Sequence, residues 1–375
     1  MHRRCLDLDR AKSSHRDRRS ARKGAARTVV CGLSQAGVTL VFVPVGSLVS
    51  WTNLAESPQA RHVHRIPDRA GQTAAWPNWL PEVVKTSLVN GGIAMPWAHQ
   101  AAAAEAAWQG QHVALATGTA SGKSLAYLMP VLAATAPGGG TEAWRWDRRQ
   151  HSALYLAPTK ALAHDQFRAS LELGPPGWPI ATLDGDSTPT EREWARDYAA
   201  YVLTNPDMLH LSLLPHHQRW AAFLRTLRFV VVDEAHRHRG LFGAQVAAVL
   251  RRLRRLAAHY GAAPTFVTAS ATVGEPRTTA ARLIGVEPDR VMLIDGDRSA
   301  RGSVEVILWQ PDGQLEDEAA VLLASGVAAG AQTIAFVSSR RSAEVVAVRA
   351  QRELGNGRTI SAYRAGYLAD DRRAL

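Results

Sequence analysis

Two short stretches hold the residue types that phosphate chemistry needs. The first, "ATGTASGKS" (116–124), lies between an apolar run that reads as a strand and a segment that reads as a helix. Backbone N–H groups of such a loop, and the N-terminus of the helix after it, cradle phosphates. Lys123 would reach the β- and γ-phosphates of a nucleotide, and the Ser124 hydroxyl would ligate Mg²⁺. The strict pattern G-x-x-x-x-G-K-[ST] has its first glycine where this chain has Thr117; Gly118, Thr119, Ala120, Ser121 and Gly122 complete the loop. The second stretch, "VVVDEAH" (230–236), ends a hydrophobic strand in two adjacent carboxylates, 110 residues after Lys123. Asp233 suits the Mg²⁺ shell, Glu234 suits a water-polarising base, and His236 closes the group of catalytic candidates. A bare GKS, or an acid pair in a solvated turn, is individually a common accident. Together, in a strand–loop–helix context, they favour nucleotide chemistry.

The elements that must hold these residues are short β-branched runs alternating with helical patterns. "HVALA" (112–116), "ALYLA" (153–157), "YVLT" (201–204), "FVVVD" (229–233), "TFVTAS" (265–270) and "VMLI" (291–294) read as buried parallel strands. Between them, 243–260 reads as a helix with Val246, Val249, Leu250, Leu253 and Leu256 on one face, and Arg251, Arg252, Arg254 and Arg255 clustered on a solvated one. Residues 136–151 read as a loop. After residue 302 the alternation restarts: strand 304–309, helix 316–328, strand 333–339, helix 340–354, strand 359–362 and the opening turns of a helix at 369–375. The pattern is α/β, a doubly wound parallel sheet followed by the beginning of another.

The formal charge of +11 is concentrated, because residues 1–27 carry seven of those net charges. A net +4 on the remainder is ordinary for a folded protein, so the charge alone is weak evidence for a nucleic-acid partner. Both cysteines, Cys5 and Cys31, lie near the N-terminus. That excludes a structural zinc site of cysteines and a disulfide framework, and fits a reducing cytosol. Residues 28–55 contain no charge, yet Gly, Ser and Pro dilute them and the apolar run 38–45 is short. The reading is a poorly ordered extension, or a start placed too early, rather than an export signal or a membrane anchor.

Beyond the two phosphate stretches the chain resembles the DEAD/DEAH-box helicases of superfamily 2. "PWAHQ" (96–100) looks like the adenine-reading Q motif, and the resemblance gives Gln100 a bidentate contact to the base. "APTKALAHDQ" (157–166) and "LTNPDML" (203–209) resemble motifs Ia and Ib, which in the family grip the nucleic-acid backbone. The resemblance thereby assigns Pro158, Thr159, Lys160, Thr204, Asn205 and Pro206, with Arg340 of "FVSSRRSAE" (336–344), to nucleic acid. "SAT" (Ser270, Ala271, Thr272) matches motif III, which couples the ATP state to that grip. Helicases of this group often lack the first Walker glycine, so Thr117 is a tolerated departure and Ala120 a milder one. "TGTASGKSLAY", "DEAHRHRGLFGAQVAAVLRRLRRL" and "YRAGYLADDRRAL" look closer still to bacterial relatives of the mitomycin-repair-factor helicases.

That resemblance implies RecA-like domains, ATP and Mg²⁺ as cofactors, and ATP-dependent unwinding of single-stranded or tailed duplex DNA in repair. The expected layout is an extension at 1–56, a complete ATP-binding domain at 57–302 and a partial second RecA-like domain at 303–375. The family's motifs V and VI, with an arginine finger, have no counterpart in the sequence. The expectation is therefore a truncated chain that binds ATP, hydrolyses it barely above background and unwinds no duplex. A non-catalytic remnant binding ATP and nucleic acid, and an RNA helicase, remain as alternatives. A cytoplasmic monomer without membrane association completes the reading.

Overall fold

Six of the apolar runs form strands of one parallel sheet, within a computed structural model that describes residues 28–33, 38–43, 54–137, 150–271, 274–364 and 366. In chain order the strands are β1 (Thr28–Leu33), β2 (Val38–Val43), β3 (Ala60–Ile66), β4 (His112–Ala116), β5 (Ser152–Leu156), β6 (Ile180–Thr182), β7 (Tyr201–Thr204), β8 (Leu227–Val232), β9 (Thr265–Ser270), β10 (Val291–Ile294), β11 (Val304–Trp309) and β12 (Gln332–Phe336). The longer helices are α1 (Glu82–Asn90), α2 (Ala98–Trp108), α3 (Lys123–Thr135), α4 (Lys160–Leu173), α5 (Pro189–Asp197), α6 (Gly240–His259), α7 (Pro276–Ile284), α8 (Leu315–Ala328) and α9 (Arg340–Leu354). Chain contacts divide these into two units, Gly71–Ser299 and Met1–Ala70 with Ala300–Leu375.

In the first unit the strand order is β10-β4-β9-β8-β5-β7-β6, and every pairing is parallel. Alternate side chains serve opposite cores, as the two-residue period of a strand requires. Ala114, Leu154, Val202, Val230 and Phe266 pack with Ala195 of α5, Val246 and Leu250 of α6 and Ala281 of α7. Val113, Leu115, Tyr155, Val231 and Val267 pack with Leu88 of α1, Ala103 of α2, Leu128 of α3 and Ala163 of α4. Both faces are covered, and for that reason these strands read as continuous apolar runs. Local signals set the helix starts: Thr188 caps α5 in a capping box with Glu191, followed by Pro189 in the first turn.

The second unit holds a sheet of order β12-β2-β1-β11-β3. Here the structure corrects four readings. Residues 28–33 and 38–43 are not extension: β1 and β2 form an antiparallel hairpin that pairs with β11 on one side and β12 on the other. Residues 57–70 fold with this unit instead of the nucleotide-binding one, through β3 paired to β11. Residues 359–362 are irregular, and the neighbouring helix holds the Ile360 N–H. The Gln351 side chain accepts from the Ile360 N–H at 2.8 Å and donates to the Arg358 carbonyl at 3.2 Å. Finally, β3 and β6 were not anticipated. The first is a polar edge strand, and the second is only three residues long. The expected helix at 369–375 and most of the loop at 136–151 lie outside the described residues.

Candidate active site

The loop after β4 and the loop after β8 leave the same end of the sheet, with β9 between their strands. Crevices outside the carboxyl ends of parallel strands are where such sheets bind ligands. Ala120 takes φ +60° and Gly122 φ +76°, both in the left-handed region. A β-carbon on Gly122 would meet the Gln100 amide nitrogen at 2.5 Å, so a side chain there would displace the carboxamide as well as strain the backbone. Gln100 itself is buried at 3% exposure. Its Nε2 donates to the Gly122 carbonyl at 2.7 Å and its Oε1 accepts from the Trp97 N–H at 2.8 Å. In this structure the carboxamide therefore grips the phosphate loop. Buried Thr117 and Ser121 tie the loop's two sides together, their hydroxyls 2.7 Å apart.

Lys123 opens α3 and folds back on the loop. Its Nζ donates to the carbonyls of Gly118 at 2.8 Å and Thr117 at 3.1 Å. Burial holds its pKa below the usual lysine value, against the opposing pull of Glu234, Asp233 and Asp297. An ammonium borrowing carbonyl oxygens in this way is ready to exchange them for phosphate oxygens.

Asp233 is fixed from three directions. Tyr155 donates its hydroxyl to Oδ2 at 2.7 Å, the Tyr127 hydroxyl lies 3.1 Å from the same oxygen, and the Glu234 N–H donates to Oδ1 at 2.8 Å. Burial, then the Asp233 charge, raises the pKa of both phenols, so they stay protonated as donors. The Tyr127 hydroxyl also sits 3.2 Å from Ser124 Oγ, linking the two proposed metal ligands. Glu234 adopts φ +49°, a conformation unusual for glutamate. Its Oε2 lies 3.1 Å from His236 Nδ1, which is not aligned as a hydrogen bond. Ala120, Glu234 and Glu275 are the non-glycine residues with positive φ among the described residues, and two of them sit in this site. Such strain concentrates where function over-determines the backbone.

The residues assigned to nucleic acid divide. Pro158 is half-buried, and Thr159 and Lys160 are exposed at the start of α4. There Thr159 caps the helix and Lys160 Nζ donates to Asp186 Oδ2 at 2.9 Å. Asn205 is half-buried, and its side chain accepts from the Met208 N–H at 2.9 Å. Thr204 does not fit its assignment. It is 1% exposed and spends its hydroxyl on the Leu183 carbonyl at 2.6 Å, because it ends a strand buried on both faces. Pro206 is likewise buried. Ser270 ends β9 and is buried, Ala271 follows half-buried, and Thr272 lies outside the described residues. Arg340 begins α9 of the other unit and is exposed.

Sequence reasoning missed Tyr127, Tyr155, Gln166 and Asp297 as members of the site. Gln166 Oε1 accepts from Ser124 Oγ at 3.3 Å. Asp297 lies beside the loop, its Oδ2 3.6 Å from where a β-carbon of Gly118 would stand. Tyr127 and Gln166 fall inside motif stretches but carry no chemistry by type alone. Tyr155 and Asp297 come from strands and loops distant in sequence, where no spacing could have shown them.

The donor set fits Mg²⁺: hydroxyl and carboxylate oxygens of Ser124 and Asp233 are hard ligands, bridged by a phenol that holds them together. A seven-stranded parallel sheet, a left-handed phosphate loop and a strand-end acid pair define a RecA-like nucleotide-binding domain. Residues 97–280 match the DEAD/DEAH box helicase family. The chain therefore carries a DEAD/DEAH box helicase domain. It is 34% identical over 332 residues to the uncharacterized ATP-dependent helicase YprA of Bacillus subtilis, covering 83% of this chain and 42% of that protein. It is 33% identical to the ATP-dependent helicase hrq1 of Schizosaccharomyces pombe, over 78% of this chain and 29% of that one. The crystal structure of the DUF1998 helicase MrfA bound to DNA superposes with a TM-score of 0.74 at 30% identity, over 87% of this chain and 47% of that one. This chain thus spans less than half the length of each of these relatives.

Proposed function

We propose that this chain supplies the ATP-binding part of an ATP-dependent DNA helicase, one that uses Mg²⁺ and moves along single-stranded or tailed duplex DNA during repair. The observation that carries the reading is the pairing of Lys123, folded onto its own loop, with an Asp233–Glu234 pair clamped at the same end of the sheet. Supporting it, the relatives are named ATP-dependent helicases, and MrfA has been crystallised with DNA and AMPPNP.

In this reading Lys123 trades the Thr117 and Gly118 carbonyls for phosphate oxygens, and loop N–H groups bind the rest of the phosphate chain. Ser124 and Asp233 would hold Mg²⁺, which when bound would neutralise charge gathering on the phosphates. Glu234 polarises the attacking water, and His236 beside it senses which partner that carboxylate holds. Ser270 ends the strand between β4 and β8 and, in this reading, couples the two loops. Thr159, Lys160 and Asn205 offer backbone-binding groups without base readout, so DNA affinity is weak, salt-sensitive and indifferent to sequence. A cytoplasmic monomer completes the reading; among the described residues no helix is long and apolar enough to cross a membrane.

Calorimetry with ATP and Mg²⁺ tests the core of the proposal. Lys123→Ala loses a hydrogen bond to a charged group, worth about 1.5–3 kcal/mol, or roughly 10- to 100-fold in affinity. Equal affinity of the two proteins removes Lys123 from its role. Steady-state ATPase with and without single-stranded DNA, with Glu234→Gln as the blank, then separates a working motor from a binding module.

A further inference from the structure

Three of the four α6 arginines that read as a solvated face, Arg251, Arg254 and Arg255, also line a cavity. Arg251, Arg254 and Arg255, with His112 at the start of β4 and Arg290 just before β10, surround about 600 Å³, and no carboxylate is among the lining residues. Both strands begin here, so the cavity lies at the opposite end of the sheet from the phosphate loop, roughly 15 Å away at about 3.3 Å per strand residue.

Part of this arrangement is structural. Arg254 Nη1 donates to the Ile284 carbonyl at 3.1 Å and to that of Gly285, and Arg251 Nη2 donates to the Arg282 carbonyl at 3.0 Å. These bonds satisfy the C-terminal carbonyls of α7, as basic side chains commonly do. They also fix two guanidiniums and leave most of their N–H groups unspent. Gly285 permits it: at φ +73°, a β-carbon there would come within 2.9 Å of Arg251 Cγ. Helix capping does not explain exposed Arg255 and Arg290, nor why four like charges share one cavity. His112 adds a donor, since its Nδ1 accepts from the Phe266 N–H at 3.1 Å and its proton therefore sits on Nε2.

We propose that this cavity binds phosphates of a nucleic-acid backbone, as a contact separate from the one made by Thr159 and Lys160. The proposal rests on the nucleic-acid reading above and adds a second point of attachment on the face away from the nucleotide. Rigid guanidiniums match phosphate oxygens in pairs. The lining offers no Tyr, Trp, Phe or carboxamide to stack on or read a base, which favours the backbone over a nucleotide's base.

The test is fluorescence anisotropy of a labelled twenty-nucleotide oligo-dT with the full chain, across a salt series. Arg255→Gln with Arg290→Gln alters two exposed side chains; Arg255→Lys with Arg290→Lys keeps the charge. The glutamine pair should bind about tenfold more weakly and flatten the log K versus log salt slope by roughly 1.4, the value for two phosphate contacts on a single strand. The lysine pair should keep most of the affinity, and ATP binding should be unchanged in both. Unchanged affinity and slope in the glutamine pair overturns the proposal, as does equal loss in both pairs. Lys160→Ala distinguishes the two readings: loss there, with none in the glutamine pair, removes this cavity alone. A wild-type chain that ignores DNA removes both. Inorganic tripolyphosphate that abolishes the Arg255- and Arg290-dependent binding at equal phosphate assigns the cavity to a free polyanion and overturns the nucleic-acid assignment.

Discussion

The two units are built from strands that look alike in sequence and end up differently dressed. β8 and β9 of the first unit are buried almost throughout, while in the second unit β12 alternates exposed and half-buried residues. Leu308, Ile334 and Phe336 are 49%, 51% and 56% exposed, whereas Phe229 and Phe266 are at most 1% exposed. The difference teaches that an apolar run encodes readiness for burial and not burial itself. Cover comes from helices on both faces, which α1–α7 supply around one sheet. The small core of the second unit gathers on α8 and α9.

The sharpest way to break this comparison is to remove one phenylalanine from each unit. Phe266→Ala opens a cavity in the core on the side of the sheet covered by α5–α7 and should cost about 3–5 kcal/mol. Phe336→Ala, on an open face, should change stability by no more than about 0.5 kcal/mol. Denaturant unfolding followed separately in each unit measures both. Similar costs would mean that the exposed face of β12 is covered in solution.

Within the first unit, two buried tyrosines near Asp233 make a finer contrast. Tyr155 donates to the carboxylate, whereas the Tyr201 hydroxyl is buried with no hydrogen-bond partner among the described residues. Tyr155→Phe should lose about 1.5–3 kcal/mol, the range for a bond to a charged group, and weaken Mg²⁺-dependent nucleotide binding. Tyr201→Phe should gain about 1 kcal/mol by removing an unsatisfied hydroxyl. Melting curves of the two variants should move in opposite directions. Shifts of the same sign would show that ring packing, and not the hydroxyl, decides both.

His238 tests the same buried region by pH. Burial, then neighbouring His236, lowers its pKa to about 4. A folded-state pKa below the unfolded value of 6.5 means that the unfolded chain binds the proton first. Stability should therefore be full above about pH 6.5, fall as pH drops toward 4, and level off below. The loss expected is at most about 3 kcal/mol. His238→Phe, which keeps a ring against Phe242, should remove that part of the slope, and an unchanged profile would assign it to other groups.

How much of this was legible depends on whether a residue announces its task by type. Lys123, Ser124, Asp233 and Glu234 stand in short motifs, and strand and helix turns bring each motif to the sheet end by local geometry. Asp233 meets Tyr155 across 78 residues and Tyr127 across 106, and only the pairing of β5 with β8 and the docking of α3 create those contacts. Thr204 shows the reverse failure. Its motif promised a surface contact, but a strand covered on both faces turned its hydroxyl inward. The polar strand β3 was hidden because two arginines and two histidines dominate it; one of them, Arg65, pairs with buried Glu305 at 2.8 Å.

The smallest contrast lies inside the phosphate loop, between Ala120 and Gly122, which both hold positive φ. For a residue with a β-carbon, the left-handed conformation costs about 1–2 kcal/mol relative to the right-handed one. Ala120→Gly removes that strain but adds about 0.5–1 kcal/mol of unfolded-state entropy to be lost on folding. The balance is a gain of about 0.5 kcal/mol, read as a small upward shift in the denaturation midpoint. Ala120 is exposed. Gly122→Ala is the opposing control, since its β-carbon would press on Gln100 and pull the carboxamide off the loop. If Ala120→Gly destabilises instead, the loop's rigidity, and not its strain, is what the alanine contributes, and nucleotide affinity should fall in the same variant.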